Sequence, residues 1–175
     1  ELMIDANFTL SVNEAIELCR RIEDVGLTWF EEPVYGNDVE LLSNLRQRTE
    51  IPIAAGQNEG HRYRHRQLIA NRAVDISQPN VAWGGGYTEG KKVASLAQTY
   101  NLKIANGGGW PHHNAHLQAG VSNGWRVEYH YLMWRVGESI YEDPYVIDGG
   151  EVELPETPGL GLNPDRDALK EHRVE

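Results

Sequence analysis

The sequence predicts an α/β protein built on part of a (β/α)8 TIM barrel. Three observations support this fold class. Short apolar segments alternate with segments of helical period from residue 1 to residue 130, which is typical of parallel βαβ units. An acid or an amide ends each apolar segment at a nearly constant step. The Gly-x-Gly-x-x-Gly signature of a dinucleotide-binding fold does not occur in the sequence, which favours a barrel over that fold.

The apolar segments are predicted to be strands because they are short and bounded by turn residues. They cover residues 1–5, 27–33, 51–56, 74–80, 102–106 and 125–130. The intervening segments space apolar residues three and four positions apart, as Ala15, Ile16, Cys19 and Ile22 do, and are predicted to be helices. These helices cover residues 13–26, 38–49, 64–73, 88–101 and 113–123.

The polar residues at the strand ends are separated by 26, 26, 23, 26 and 22 positions. In order they are Asp5, Glu31, Gln57, Asn80, Asn106 and Glu128. Each strand–helix unit therefore delivers one acid or amide to the same end of its strand. In a parallel sheet the carboxyl ends of the strands form the rim at which ligands bind.

Six strands do not close an eight-stranded barrel, because closure is what removes the exposed edges of such a sheet. We therefore expect two further strand–helix units before residue 1, so that the strands present are the third to the eighth. Residues 1–132 are predicted to form this partial barrel. Residues 133–175 are rich in turns and are predicted to be a tail that returns to a capping domain outside the chain.

The overall composition excludes several classes of function. The chain of 175 residues has a net charge of -10, with 26 acidic and 16 basic residues, and this balance argues against nucleic-acid binding. No stretch approaches about 18 continuous apolar residues, so no membrane-spanning helix is expected. Cys19 is the single cysteine, which rules out an internal disulfide and is typical of a reducing, cytoplasmic location.

The carboxylates of Asp5 and Glu31 are candidate metal ligands. Neighbouring strands of a barrel lie about 4.8 Å apart, so side chains at their ends can converge on one ion. Carboxylate oxygens without cysteine or histidine are typical of a hard divalent cation such as Mg²⁺. The alternative is that each carboxylate caps the helix that follows it, but the equal steps favour the metal.

Several motifs together resemble the C-terminal barrel of the enolase superfamily, in its mandelate racemase/muconate lactonizing enzyme-like subgroup. The resemblance covers nearly the whole chain through MIDAN, WFEEPV, PIAAGQNE, DISQPNVAWGGGYTEGKKVASLA, NGWRVEYH and PGLGLN. It implies a Mg²⁺-dependent enzyme that removes the proton α to a carboxylate and stabilises the resulting enediolate. By position, it implies that Asp5 and Glu31 are the first two metal ligands, and that Glu128 hydrogen-bonds the substrate carboxylate.

The third metal ligand departs from the family pattern. A glutamate is expected there, but this chain has Gln57, whose amide oxygen can coordinate Mg²⁺ without adding charge. Some sugar-diacid dehydratases of the superfamily resemble this chain in using a neutral amide. The alternative third ligand is Glu59, two residues later; we favour Gln57 because it keeps the spacing.

The acid–base residues also depart from the pattern. The sixth-strand aspartate of many relatives is Asn80 here, and the position of its histidine partner falls near Asn106 or Gly107. His112 or His113, which follow the glycine-rich segment, could supply the base instead, or could simply start a helix. The second-strand lysine motif of many relatives lies outside the chain.

The leading functional prediction is an acid-sugar dehydratase, a lyase that eliminates water from a small carboxylate substrate and requires Mg²⁺. The alternatives are a racemase, epimerase or cycloisomerase of the same superfamily, or an inactive relative or truncated fragment. Candidate substrate-binding residues are His61, Arg62, Asn106 and Trp110. The full-length protein is expected to form a homo-oligomer.

Overall fold

The computed structural model describes residues 1–174, and its main feature is a curled parallel sheet of six strands. The strands lie side by side in sequence order, and each runs parallel to its neighbour. Their bounds are β1 Met3–Asp5, β2 Trp29–Glu31, β3 Ile53–Ala55, β4 Ile76–Ser77, β5 Lys103–Ala105 and β6 Gly124–Arg126. This sequential parallel order confirms the predicted partial barrel.

The helices have the bounds α1 Val12–Ile22, α2 Val39–Arg46, α3 His61–Ala70, α4 Gly86–Thr99, α5 Pro111–Ala119, α6 Tyr131–Ile140 and α7 Arg166–Glu171. Helices α1 to α5 connect successive strands of the sheet, and α6 and α7 follow its last strand. Helix α3 begins three residues before its predicted start, because its first turn is basic and shows no apolar stripe in the sequence. Helix α6 was not predicted, and it runs across the expected boundary at residue 132.

The alternation of side chains along the strands separates two apolar regions. The larger one lies between the sheet and the helices and includes Phe30, Ile53 and Ile104, each at most 1% exposed. The smaller one fills the inside of the curled sheet and includes Trp29 and Ile76. Asp5 and Glu31, two positions after Met3 and Trp29 of the inner cluster, therefore also face inward and lie at the rim.

The inner cluster spans the open side of the sheet. The indole of Trp29 in β2 meets that of Trp125 in β6 edge to face, with ring centroids 5.5 Å apart. Arg126 forms an ion pair with Glu1. These contacts hold the two ends of the six-stranded sheet toward each other, and they form the floor beneath the polar rim.

The chain after α6 folds back on the barrel helices. A short hairpin pairs β7 Ile147–Asp148 with β8 Glu151–Val152 in antiparallel register. The hydroxyl of Tyr145 lies 2.7 Å from Nε2 of His116 in α5 and also donates to the carbonyl of Leu160. The tail is therefore attached to α5 in the described structure, and its packing on a capping domain stays a prediction.

A membrane crossing is not supported by the helices of residues 1–174. None of them is both long enough and apolar enough to pass through a bilayer.

His65 is a buried polar side chain that links α3 to β4. It is 1% exposed, and its Nδ1 lies 3.0 Å from the hydroxyl of Ser77. A Cβ on Gly56 would come within 2.9 Å of the imidazole ring, and Gly56 has a φ of +124°. Only glycine suits this position, at which β3 ends and turns toward Gln57.

We predict that His65 makes the fold sensitive to acid. Burial lowers the pKa of His65 from 6.5 to about 4, so the unfolded chain takes up a proton at a higher pH than the folded chain. The resulting stability is complete above pH 6.5 and is lost as the pH falls toward 4, by an amount on the order of 3 kcal/mol.

Urea denaturation of the protein from pH 7.5 to pH 4 measures this effect. His65→Gln should flatten the dependence between pH 6.5 and pH 4, whereas the exposed control His172→Gln should retain it. An unchanged pH dependence in His65→Gln would contradict the assignment.

Candidate metal and substrate site

Two carboxylates lie side by side at the rim of the sheet. Asp5 and Glu31 end β1 and β2 and are register partners on these parallel strands. Asp5 accepts a hydrogen bond of 2.7 Å from the backbone N–H of Asn7, and Oε2 of Glu31 accepts one of 3.0 Å from the indole of Trp29. Each carboxylate therefore keeps one oxygen without either of these donors, and the strands hold the pair together.

The amide of Gln57 converges on the same region as Glu31. Its Oε1 lies 2.7 Å, and Oε1 of Glu31 lies 2.8 Å, from the point that a Cβ on Gly107 would occupy. The two oxygens thus face each other across the glycine at the end of β5. A side chain at position 107 would fill the space between them, so a residue without a Cβ is required there.

Glu32 lies directly behind this pair and is wholly buried, at 0% exposure. Its Oε2 accepts a hydrogen bond of 2.5 Å from Nε2 of Gln57. Its Oε1 accepts hydrogen bonds from Asn37 at 2.9 Å and from the backbone N–H of Gly56 at 3.3 Å. Glu32 also has a φ of +40°, which is unusual for a residue with a side chain.

These carboxylates suit a cation because their negative charge is not neutralised by the described chain. No ion pair among residues 1–174 involves Asp5, Glu31 or Glu32. Burial is the largest cause that raises the pKa of Glu31 to about 7, and the charges of Asp5 and Glu128 contribute to the same rise. Burial likewise raises the pKa of Asp5. A bound divalent cation would offset the repulsion between these carboxylates.

The described residues contain no group of three histidine, cysteine, aspartate or glutamate side chains arranged around one ion. A site with the two carboxylates of the rim therefore needs a ligand of another kind. The amide oxygen of Gln57 can be that ligand, and it agrees with the preference of Mg²⁺ for oxygen.

Glu59, the alternative third ligand, is engaged elsewhere. Its Oε2 accepts a hydrogen bond of 2.8 Å from Nε of Arg64 in α3, and its side chain is 11% exposed. The ion pair neutralises Glu59 locally, in contrast to the carboxylates of the rim.

Three asparagines surround the glycine-rich segment after β5. Nδ2 of Asn80 donates to the carbonyl of Gly107 at 2.7 Å, and Oδ1 of Asn80 accepts from Asn114 at 3.0 Å. Nδ2 groups of Asn106 and Asn114 each donate to the carbonyl of Gly109 at 3.1 Å. All three side chains are at most 2% exposed. The three asparagines therefore fix the loop.

The fixed loop in turn contacts Glu128 after β6. The backbone N–H of Gly109 donates to Oε2 of Glu128 at 2.5 Å, and the backbone N–H of Glu128 donates to Oδ1 of Asn106 at 3.0 Å. Asn106 and Glu128 also line a cavity of about 360 Å³ together with Asp5, Glu31 and Arg126. The structure thus brings together the predicted residues at both ends of the sheet.

His112 and His113, the predicted base candidates, have other surroundings. The ring of His112 is 3% exposed and stacks on Trp134 of α6 with a centroid distance of 4.6 Å. His113 meets the ring of Trp110 at 5.8 Å. Neither histidine lines the cavity that contains the carboxylates, and burial lowers the pKa of both.

The remaining predicted substrate ligands lie at the start of helices. Arg62 donates to Glu89 of α4 at 2.5 Å, and Nδ1 of His61 lies 3.8 Å from the same carboxylate. This cluster joins α3 to α4. Trp110 precedes α5 in a left-handed conformation with a φ of +55°, which sets the direction in which α5 leaves the glycine-rich segment.

Sequence reasoning missed three residues of this region, namely Glu32, Asn114 and Gln78. Glu32 belongs to a motif and Asn114 to a predicted helix, and the sequence predicts no individual role for either. Gln78 is 0% exposed, and neither atom of its amide has a hydrogen-bond partner within residues 1–174. Its position two residues after Ile76 of the inner cluster was the available signal, because the alternation of β4 turns both inward.

We predict that Asn80→Asp destabilises the loop, even though aspartate is the residue of many relatives. The carboxylate would face the carbonyl of Gly107 without a hydrogen to donate, and the expected loss is about 2 kcal/mol. Urea denaturation at pH 7.5 measures it. Asn44→Asp, an exposed substitution on α2, adds the same charge and should change stability by less than about 0.5 kcal/mol. Equal stabilities of the two variants would refute this role.

Comparison with known proteins gives the same family as the motifs. Residues 1–168 match the family model described as "Enolase C-terminal domain-like". D-xylonate dehydratase of Haloferax volcanii is 31% identical over 185 residues, which cover 100% of this chain and 43% of that protein. D-galactarolactone cycloisomerase of Agrobacterium fabrum is 34% identical over 193 residues, which cover 99% of this chain and 49% of that protein.

Solved structures agree with this assignment. The crystal structure of L-talarate dehydratase from a Polaromonas species, complexed with Mg and L-glucarate, superimposes with a TM-score of 0.86 and 30% sequence identity. The match covers 97% of this chain and 46% of the dehydratase. This chain spans 43% and 49% of the two curated relatives named above. The predicted resemblance is confirmed, and this chain belongs to the enolase C-terminal domain-like family.

Proposed function

We propose that this chain supplies the metal-binding side of an acid-sugar dehydratase. The observation that carries the proposal is the convergence of Glu31 and Gln57 oxygens beside Asp5, in a carboxylate cluster with no cationic partner in the described chain. The presence of dehydratases of D-xylonate and of other sugar acids among the relatives supports the substrate class.

The proposed metal site consists of Asp5, Glu31 and Gln57. When bound there, Mg²⁺ would supply positive charge to a substrate carboxylate whose negative charge grows as the α-proton leaves. Glu31 is held by the indole of Trp29, and Gln57 is held by Glu32, so both oxygens are pre-oriented. Glu59 is excluded from our proposed site because its carboxylate pairs with Arg64.

The other rim residues would bind and orient the substrate. Glu128 and Asn106 line the cavity beside Asp5 and Glu31, where they can hydrogen-bond a carboxyl or hydroxyl group. The elimination transfers the α-proton to a base, while the β-hydroxyl leaves as water after taking up a proton. The resulting enol then becomes a 2-keto-3-deoxy acid.

We propose that the base belongs to a part of the whole protein outside residues 1–174. The described residues that line the cavity include no histidine or lysine, and His112 packs against Trp134. Position 107, at which a seventh-strand base could stand, is a glycine enclosed by Glu31 and Gln57.

The metal assignment predicts that Asp5→Asn and Glu31→Gln each abolish Mg²⁺ binding to the full-length protein, since each removes one of two charged ligands. Calorimetric titration at pH 8 measures the affinity. Glu59→Gln should bind Mg²⁺ as the unaltered protein does, and the exposed Glu40→Gln on α2 controls for lost charge. Mg²⁺ binding that disappears in Glu59→Gln but survives in Glu31→Gln would overturn this ligand set.

The activity assignment predicts that the full-length protein with Mg²⁺ converts at least one aldonic or aldaric acid to a 2-keto-3-deoxy acid. A library of such acids, read out by detection of that product, measures it. Solvent deuterium at the α-carbon without this product would favour the racemase or epimerase alternative. Absence of both product and exchange on every acid would refute the enzymatic proposal.

A further inference from the structure

The orientation of the Gln57 amide is controlled by its neighbour Glu32. A glutamine amide has an oxygen end that accepts hydrogen bonds and a nitrogen end that donates them, and only the oxygen end can bind a cation. A carboxylate, by contrast, accepts at both of its oxygens. The 2.5 Å contact from Nε2 of Gln57 to Oε2 of Glu32 therefore directs Oε1 of Gln57 toward Glu31.

Glu32 itself is fixed by contacts that leave it no alternative arrangement. Its other oxygen accepts from Asn37 and from the backbone of Gly56, so two donors hold Oε1 and leave Oε2 for Gln57. The side chain has 0% exposure, so its hydrogen-bond partners are groups of the protein and not bulk solvent. Pro33 follows Glu32 directly and restricts the backbone on its C-terminal side.

The backbone of Glu32 is strained in the way that functional positions often are. Its φ of +40° lies in the left-handed region, which non-glycine residues rarely adopt. Strain of this kind persists only where surrounding contacts over-determine the conformation. The three hydrogen bonds to the Glu32 carboxylate are such contacts, and they place it behind the rim while the preceding residue, Glu31, faces the cavity.

We propose that Glu32 is a positioning residue that turns the amide oxygen of Gln57 toward the metal site. This inference rests on the proposed function, because it presumes that Gln57 is the third metal ligand. Glutamine at position 57 donates to Glu32 through its Nε2 and still offers its Oε1 to the cation.

Glu32→Gln should reverse the Gln57 amide. The new side chain would keep its oxygen toward the two donors Asn37 and Gly56, so its NH2 group would point at Gln57. Gln57 would then accept from this group and present its own NH2 toward Glu31 and the cation. We expect the affinity for Mg²⁺ to fall by about tenfold to a hundredfold, as is usual when a residue that orients a metal ligand is altered.

Exchanging the two side chains should restore the site. In Glu32→Gln/Gln57→Glu, the carboxylate at position 57 accepts from the amide at position 32 and directs its second oxygen to the metal. The double variant has the same composition and net charge as the unaltered protein. We expect its affinity for Mg²⁺ to return at least to the original value, because the third ligand again turns an oxygen toward the cation and now carries a charge.

The experiment is a calorimetric titration of Mg²⁺ at pH 8 into the full-length protein, Glu32→Gln, the double variant and the control Glu40→Gln. Circular dichroism establishes that each variant is folded. Weakened binding in Glu32→Gln with recovery in the double variant supports the proposal. Undiminished binding in Glu32→Gln, or weakened binding without recovery, overturns it. If Glu32→Gln does not fold, the test is the affinity of the folded double variant for Mg²⁺. An affinity below that of the unaltered protein then overturns the proposal. Absence of Mg²⁺ binding in the unaltered protein would instead refute the metal site itself.

Discussion

The repulsion between neighbouring carboxylates at one rim of a parallel sheet is the constraint on which this region depends. Parallel register places Asp5 beside Glu31, and the burial of Glu31 reduces the solvent screening of the repulsion between them. In the described chain, N–H groups stabilise these carboxylates in place of positively charged side chains. The indole of Trp29, the backbone N–H of Asn7 and the backbone N–H of Gly109 each donate to one rim carboxylate.

Asparagine side chains support the loop that donates to one of these carboxylates. Asn80, Asn106 and Asn114 satisfy the carbonyls of the loop between β5 and α5. That loop then delivers one backbone donor to Glu128. The neutral residues of the rim thus have a structural task that charged residues would perform poorly. A carboxylate cannot donate to a carbonyl, and an imidazole at position 107 would collide with the oxygens of Glu31 and Gln57.

The sequence was sufficient for the strand order and for the residues at the rim, because both follow from local periodicity and from equal steps along the chain. It was insufficient where a side chain's role is set by a distant partner. The amide of Gln57 is turned by Glu32, 25 positions earlier. His112 follows the glycine-rich segment directly, yet its stacking on Trp134 depends on helix α6, which the sequence pattern did not reveal.

Trp29 has a consequence beyond packing. Its indole N–H donates to Oε2 of Glu31, while its ring rests on Trp125 across the inside of the sheet. The charge of Glu31 therefore lies directly against an intrinsic fluorophore. Any event that neutralises this carboxylate alters the electric field on the excited indole. The emission of Trp29, one of five tryptophans in the chain, is thus expected to respond to the state of the rim, without any label attached to the protein.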